Sequence, residues 1–132
     1  MIKVFLGGTC NGSTWRERLI PLLAIDYFNP VVEDWTPECQ EEERRQRITS
    51  NYCLYTITPL MNGVYSIAEV VEDSIKRPHR TLFCVLQEDS GFVFSDAQRK
   101  SLLAVADMVG RNGGRIFWTL EEVSVFLNER RV

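Results

Sequence analysis

Short apolar runs, each closed by glycine, proline or asparagine, alternate along this chain with stretches of helical periodicity. Strands separated by helices pair in parallel, and a strand apolar along its whole length must be covered on both faces. Ile2 to Leu6 is such a run, stopped by Gly7-Gly8. Thr14 to Ile25 has a helical pattern with Trp15, Leu19, Leu22 and Leu23 on one face, a capping-box spacing at Thr14 and Glu17, and Pro21 as a kink. Tyr27 to Val32 is a shorter strand candidate interrupted by Asn29-Pro30. Thr36-Pro37 starts a highly charged helix running to about Asn51. Tyr52 to Thr58 has the composition of a central strand, and Val64 to Lys76 that of a helix with Val64, Ile67, Ala68, Val71 and Ile75 inward.

The alternation continues to the end. Thr81 to Leu86 predicts a strand. Ser95 and Gln98 open a helix that buries Leu102, Leu103, Val105, Ala106 and Val109 and closes at Asn112-Gly113-Gly114. Arg115 to Trp118 predicts a last strand, and Thr119 with Glu122 caps a last helix. About five strands and five helices predict an α/β sandwich, with a mainly parallel five-stranded sheet covered on both faces and one domain over residues 1–132.

Composition narrows the functions open to such a fold. The net charge is −3, and the basic residues are interleaved with acids, as in Glu41-Glu42-Glu43-Arg44-Arg45-Gln46-Arg47. A nucleic-acid groove needs a concentrated basic surface, so no nucleic-acid partner is expected. No stretch approaches the apolar length of a membrane span, and the apolar run at the N-terminus is too short for a signal peptide, so the expected location is the cytoplasm with no membrane partner. Cys10, Cys39, Cys53 and Cys84 form no C-x-x-C pair and read as reduced thiols. The one histidine, His79, argues against zinc and reads as a loop residue.

Ligands of parallel sheets bind beyond the carboxyl ends of the strands. That rule selects the loops Gly7 to Ser13, Asn29 to Thr36 and Thr58 to Ser66. The first is either a tight βα turn or a cradle for a phosphate or sugar; it lacks the lysine of a P-loop. The second places Asp34 beside Trp35, which suits a stacked base and a sugar hydroxyl, or else a half-buried tryptophan with an aspartate capping a turn. In the third, Ser66 and Glu69 fit a capping box, which the pattern alone favours. The alternative puts Glu69 in the first turn of a helix facing the crevice, as a carboxylate able to attack an anomeric carbon.

Taken in order, Val4-Phe5-Leu6-Gly7-Gly8-Thr9, Trp15-Arg16, Phe28-Asn29-Pro30-Val31-Val32, Asp34-Trp35, Tyr55-Thr56-Ile57-Thr58-Pro59 and Tyr65-Ser66-Ile67-Ala68-Glu69 resemble the nucleoside 2-deoxyribosyltransferase-like proteins. The resemblance implies a flavodoxin-like three-layer fold and N-glycosidic chemistry on nucleosides or nucleotides. It implies Glu69 as the nucleophile, Ser66 as a sugar or phosphate ligand, no cofactor or metal, and a homo-oligomer. The chain departs from the family at Phe5, which stands where studied transferases carry a tyrosine, and at Thr58 and Asn62, which stand where they carry aspartates. It also shows no clear match to the asparagine that a neighbouring subunit contributes.

Three expectations follow. In the first, Glu69 attacks C1′, Asp34 assists, Trp35 or Trp15 stacks on the base, and Gly7, Gly8, Thr9, Asn29, Thr58, Asn62 and Ser66 contribute to substrate binding. In the second, the same fold binds nucleotides without turnover. In the third, the charged helix from about Pro37 to Asn51 docks a protein partner.

Overall fold

The computed structural model describes residues 2–10 and 12–130; Met1 and Asn11, the latter in the glycine loop, lie outside the described residues, as do Arg131 and Val132. Five strands form the main sheet: β1 (Lys3–Gly8), β2 (Asp26–Phe28), β3 (Tyr52–Ile57), β4 (Thr81–Val85) and β7 (Arg115–Phe117). They lie in the order β2-β1-β3-β4-β7, and every neighbouring pair is parallel. This is the flavodoxin-like order, with its topological switch point between β1 and β3.

Period-two alternation sorts the strand side chains into two cores. Val4, Leu6, Leu54, Leu82 and Cys84 pack with Trp15 and Leu19 of α1 (Trp15–Leu19) and with Val123 and Leu127 of α5 (Leu120–Asn128). Phe5, Cys53, Tyr55, Ile57, Phe83 and Val85 pack with Val70 of α3 (Tyr65–Lys76) and with Leu102, Ala106 and Val109 of α4 (Asp96–Arg111). The charged helix α2 (Pro37–Thr49) lies on this second face, where Arg47 reaches the Tyr55 hydroxyl. Together these layers make the three-layer α/β sandwich that the sequence predicts. Among the described residues no helix is long and apolar enough to cross a membrane.

Helix caps follow the sequence at three places. Thr36 accepts from the Cys39 N–H, Ser95 and Gln98 form both bonds of a capping box, and Thr119 accepts from the Glu122 N–H. Elsewhere local geometry departs from expectation. Thr14 makes no side-chain cap, and the Trp15 N–H is met by Ser13 Oγ instead. The first helix does not run to Ile25; Pro21 sits in a 3-10 turn, Ile20–Leu22, after which Leu23 is extended. β2 stops at Phe28 rather than Val32, because Asn29 turns the chain by accepting from the Val31 N–H, and Pro30 has no N–H to give a ladder.

The largest correction is at α3. It begins at Tyr65 with no side-chain cap, so Ser66 is already inside the helix and the Ser66–Glu69 capping box does not form. Glu69 therefore sits in the second turn, not the first. Ile67 and Val71 pack inward around the core residue Val70, while Val64, Ala68 and Ile75 face solvent. A two-residue hairpin, β5 (Glu88–Asp89) with β6 (Phe92–Val93), follows β4 and was not expected. It is too short to carry a periodicity, and its turn uses positive φ at Ser90 and Gly91.

Candidate functional site

A cavity of about 490 Å³ opens at the carboxyl end of β1. Its walls come from Gly7 and Gly8, the Pro30 to Trp35 loop, one face of α2 and the first two turns of α3. Each wall has a local cause. Gly8 has φ +119°, and a Cβ there would lie 2.1 Å from the Thr56 carbonyl oxygen. The glycines are thus needed for β1 to pass close to β3, and their bare backbone also forms cavity wall.

Buried Arg16 ties the loop that follows. It donates to the carbonyls of Leu6 (3.0 Å), Thr9 (2.7 Å) and Gly8 (3.4 Å). Burial pulls its pKa down, opposed by Cys10 and Glu43. Thr9 closes the floor: its N–H donates to Thr56, and its hydroxyl accepts from the Thr58 N–H at 3.0 Å.

Glu69 and Ser66, one helical turn apart on α3, both face the cavity. The Glu69 side chain is only 12% exposed and lies 3.6 Å from the Arg47 guanidinium. Burial pushes its pKa up to about 7 against the pull of Arg47, with Glu43, Asp73 and Glu72 adding to the rise. Arg47 is the hub of this wall. It donates to the Tyr55 hydroxyl at 2.8 Å, to Asp73 at 3.0 and 3.3 Å, to Glu72 at 3.1 Å and to the Glu69 carbonyl at 3.2 Å. Burial opposes its charge, but Tyr55, Asp73 and Glu69 hold its pKa above the ordinary arginine value. Asp73, 1% exposed, also accepts from the Tyr55 hydroxyl and pairs with Arg77.

The mouth is apolar. Val31, Val32 and Trp35 on one side and Tyr65 on the other line the cavity, and all are exposed. Exposed apolar groups beside a polar interior mark a ligand site more often than a surface accident. A smaller cavity of about 140 Å³ adjoins, sharing Gly8, Cys10, Tyr65 and Ser66 and adding Thr9, Asn62 and Gly63.

The structure therefore brings together Gly7, Gly8, Trp35, Ser66 and Glu69 in the main cavity, with Thr9 and Asn62 in its neighbour. It does not bring in the other four. Trp15 is fully buried and donates its indole N–H to the Thr9 carbonyl at 2.8 Å, so its ring is core and not a stacking surface. Asp34, expected to assist, is exposed and lines neither cavity. Asn29 is spent on its own turn, and Thr58 is buried with its hydroxyl accepting from the Leu60 N–H.

Sequence reasoning missed Gln40, Glu43, Arg44 and Arg47, which all line the cavity from α2. Their spacing of i, i+3, i+4 and i+7 is one helical stripe. That stripe was the available signal, hidden because every other face of α2 is charged as well. Among the described residues, no group of three or more His, Cys, Asp or Glu side chains comes together as a metal site.

Against known families, a model described as nucleoside 2-deoxyribosyltransferase like matches residues 1–55. The match covers β1, the glycine loop, the Trp35 loop, α2 and most of β3; Glu69 lies beyond it. No curated protein and no solved structure matches the chain.

Proposed function

We propose that this chain cleaves or transfers the N-glycosidic bond of (deoxy)nucleosides or nucleotides, with Glu69 as the nucleophile. The observation that carries the reading is a nearly buried carboxylate, ion-paired to Arg47, on the wall of a cavity with an apolar and aromatic mouth. A nucleoside has the matching polarity: a flat base for Trp35 and a polar sugar for the interior. The similarity of residues 1–55 to nucleoside 2-deoxyribosyltransferase-like proteins supports the same substrate class.

In the first step a Glu69 oxygen bonds to C1′ as the C1′–N bond breaks, and the bonding pair leaves with the base. In the second, an acceptor base or water bonds to C1′, and the ester pair returns to Glu69. Ser66, on the same helix face, binds a sugar hydroxyl or a 5′-phosphate. The attacking form is the carboxylate, so base release rises as pH increases through about 7. A homo-oligomer, in which a second copy covers the exposed mouth, belongs to the same reading.

The test is incubation of wild type and Glu69→Ala with deoxynucleosides and their 5′-monophosphates, with and without an acceptor base, following free and exchanged base by chromatography. Release that disappears in the variant is expected, and acceptor dependence separates transfer from hydrolysis. No release from any substrate by folded protein refutes the reading. It would favour a nucleotide-binding module without turnover, to which the buried Thr58, standing where studied transferases carry an acid, already points.

A further inference from the structure

Breaking a glycosidic bond to an ordinary purine leaves a poor anion unless the base is protonated as it departs. The cavity must therefore offer an acid as well as a nucleophile. Asp34 is outside it, Thr58 is a buried hydroxyl already accepting from the Leu60 N–H, and Asn62 is an amide. Among the described residues that line the main cavity, two are carboxylic: Glu69 from α3 and Glu43 from α2.

We propose that Glu43 is the general acid that protonates the leaving base, facing Glu69 across the same cavity. The inference rests on the reading of Glu69 as nucleophile. Arg47, one turn beyond Glu43 on the same stripe of α2, extends across to Glu69 and pairs with that carboxylate. The two carboxyls have different surroundings. Glu69 lies within ion-pair distance of Arg47, whereas Glu43 forms no ion pair within 4 Å among the described residues. Burial raises the Glu43 pKa, opposed by Arg16 and Arg47, which favours the protonated form an acid needs. The Glu43 carboxylate adds to the cost of ionising Glu69, and the form that turns over is the singly protonated pair with its proton on Glu43.

Atoms balance in both halves. As a Glu69 oxygen bonds to C1′, the C1′–N pair goes to the base, and the Glu43 proton bonds to a base nitrogen, leaving Glu43 as carboxylate. In the return step the acceptor's N–H or O–H proton passes to Glu43 while the acceptor bonds to C1′ and the pair of the ester returns to Glu69. Both glutamates end as they began.

The experiment compares two leaving groups. 2′-Deoxyinosine needs a proton to release its base; 7-methyl-2′-deoxyguanosine carries a cationic base that leaves neutral without one. Glu43→Gln is expected to slow release from 2′-deoxyinosine at least about 100-fold and from the methylated nucleoside less than about fivefold, and to abolish the alkaline limb of the deoxyinosine pH profile. In Glu43→Ala, added imidazole buffer, whose imidazolium form can donate the missing proton near neutral pH, restores release from 2′-deoxyinosine. Circular dichroism and melting of each variant establish that it is folded, and if Glu43→Gln is not, Glu43→Ala with imidazole carries the test.

Equal losses on both substrates, or none on either, overturn the assignment of Glu43. Retention of release by Glu69→Ala overturns the nucleophile instead, and leaves the leaving-group dependence of Glu43→Gln as a separate result. Failure of wild type on both nucleosides overturns the two readings together.

Discussion

Replacing Arg47 with methionine tests whether the α2–α3 wall is held by one cation. The change keeps the aliphatic stem and removes the guanidinium, with its bonds to Tyr55, Asp73, Glu72 and the Glu69 carbonyl and its ion pair to the Glu69 carboxylate. Breaking a buried pair by deleting one partner costs about 3–5 kcal/mol. Asp73 keeps its contacts with Arg77 and the Tyr55 hydroxyl, which places the loss at or below the low end, about 2–3 kcal/mol. For a chain of this size that is a fall in Tm of about 10 °C. Thermal melting by circular dichroism measures it.

A second readout comes from the site. Arg47 pulls the Glu69 pKa down, so its removal moves the acid limb of base release to higher pH. Arg47→Lys restores the charge but not the fork that spans Tyr55 and Asp73, and is expected to recover the limb better than the melt. An Arg47→Met protein that melts within about 2 °C of wild type, with an unmoved limb, would refute the hub argument.

The two tryptophans separate stability from binding. Trp15→Phe removes a buried indole and its bond to Thr9 and is expected to cost about 2–3 kcal/mol in denaturant titration with little change in nucleoside affinity. Trp35→Ala is expected to weaken nucleoside binding about tenfold in calorimetry, the loss of one stacking face, and to leave Tm unchanged. Gly8→Ala places a methyl against the Thr56 backbone at positive φ and should cost more than about 3 kcal/mol; Gly12→Ala, at φ +86° with open space around it, should cost only about 1 kcal/mol, and urea melts of the pair check the contrast. Glu69→Gln is expected to stabilise the protein above pH 7 and not near pH 4. A carboxyl whose pKa rises from 4.5 to about 7 on folding carries no penalty below the lower value and a full one, up to about 3 kcal/mol, above the higher. Equal gains at both pH values would contradict burial as the cause.

The three central strands were legible because buried strands leave continuous apolar runs, and Val4 to Leu6, Cys53 to Tyr55 and Leu82 to Val85 are such runs. Caps at Thr36, Ser95 and Thr119 were legible because each side chain bonds within its own first turn. The same local rule failed at Thr14 and Ser66. Thr14 does hold the N-cap position but its side chain makes no cap bond, whereas at Ser66 the backbone enters the helix two residues earlier than the pattern places it, and the spacing of Ser66 and Glu69 serves a shared face instead of a cap. Trp15 misled for a related reason. A tryptophan next to a candidate ligand loop fits a stacking surface and a loop anchor equally in sequence, and only the side of the sheet on which α1 packs decides between them.

The site was half legible, and the missing half has one physical cause. Loops announce themselves by composition, so Gly7, Gly8 and Trp35 were within reach. α2 was read as a solvated charge run, which is true of most of its surface: Gln46 is its one buried residue. A helix charged on every face hides the one face whose charges are held in place. What distinguishes Glu43 and Arg47 from Glu41 and Arg45 is not residue type but what they face. Arg47 meets a tyrosine on β3 and an aspartate on α3, residues that only the β2-β1-β3 order brings beneath α2. A polar site assembled from two helices across a switch point is therefore encoded in the topology first. Its residues become identifiable once the crossover that places one helix beside the other is known.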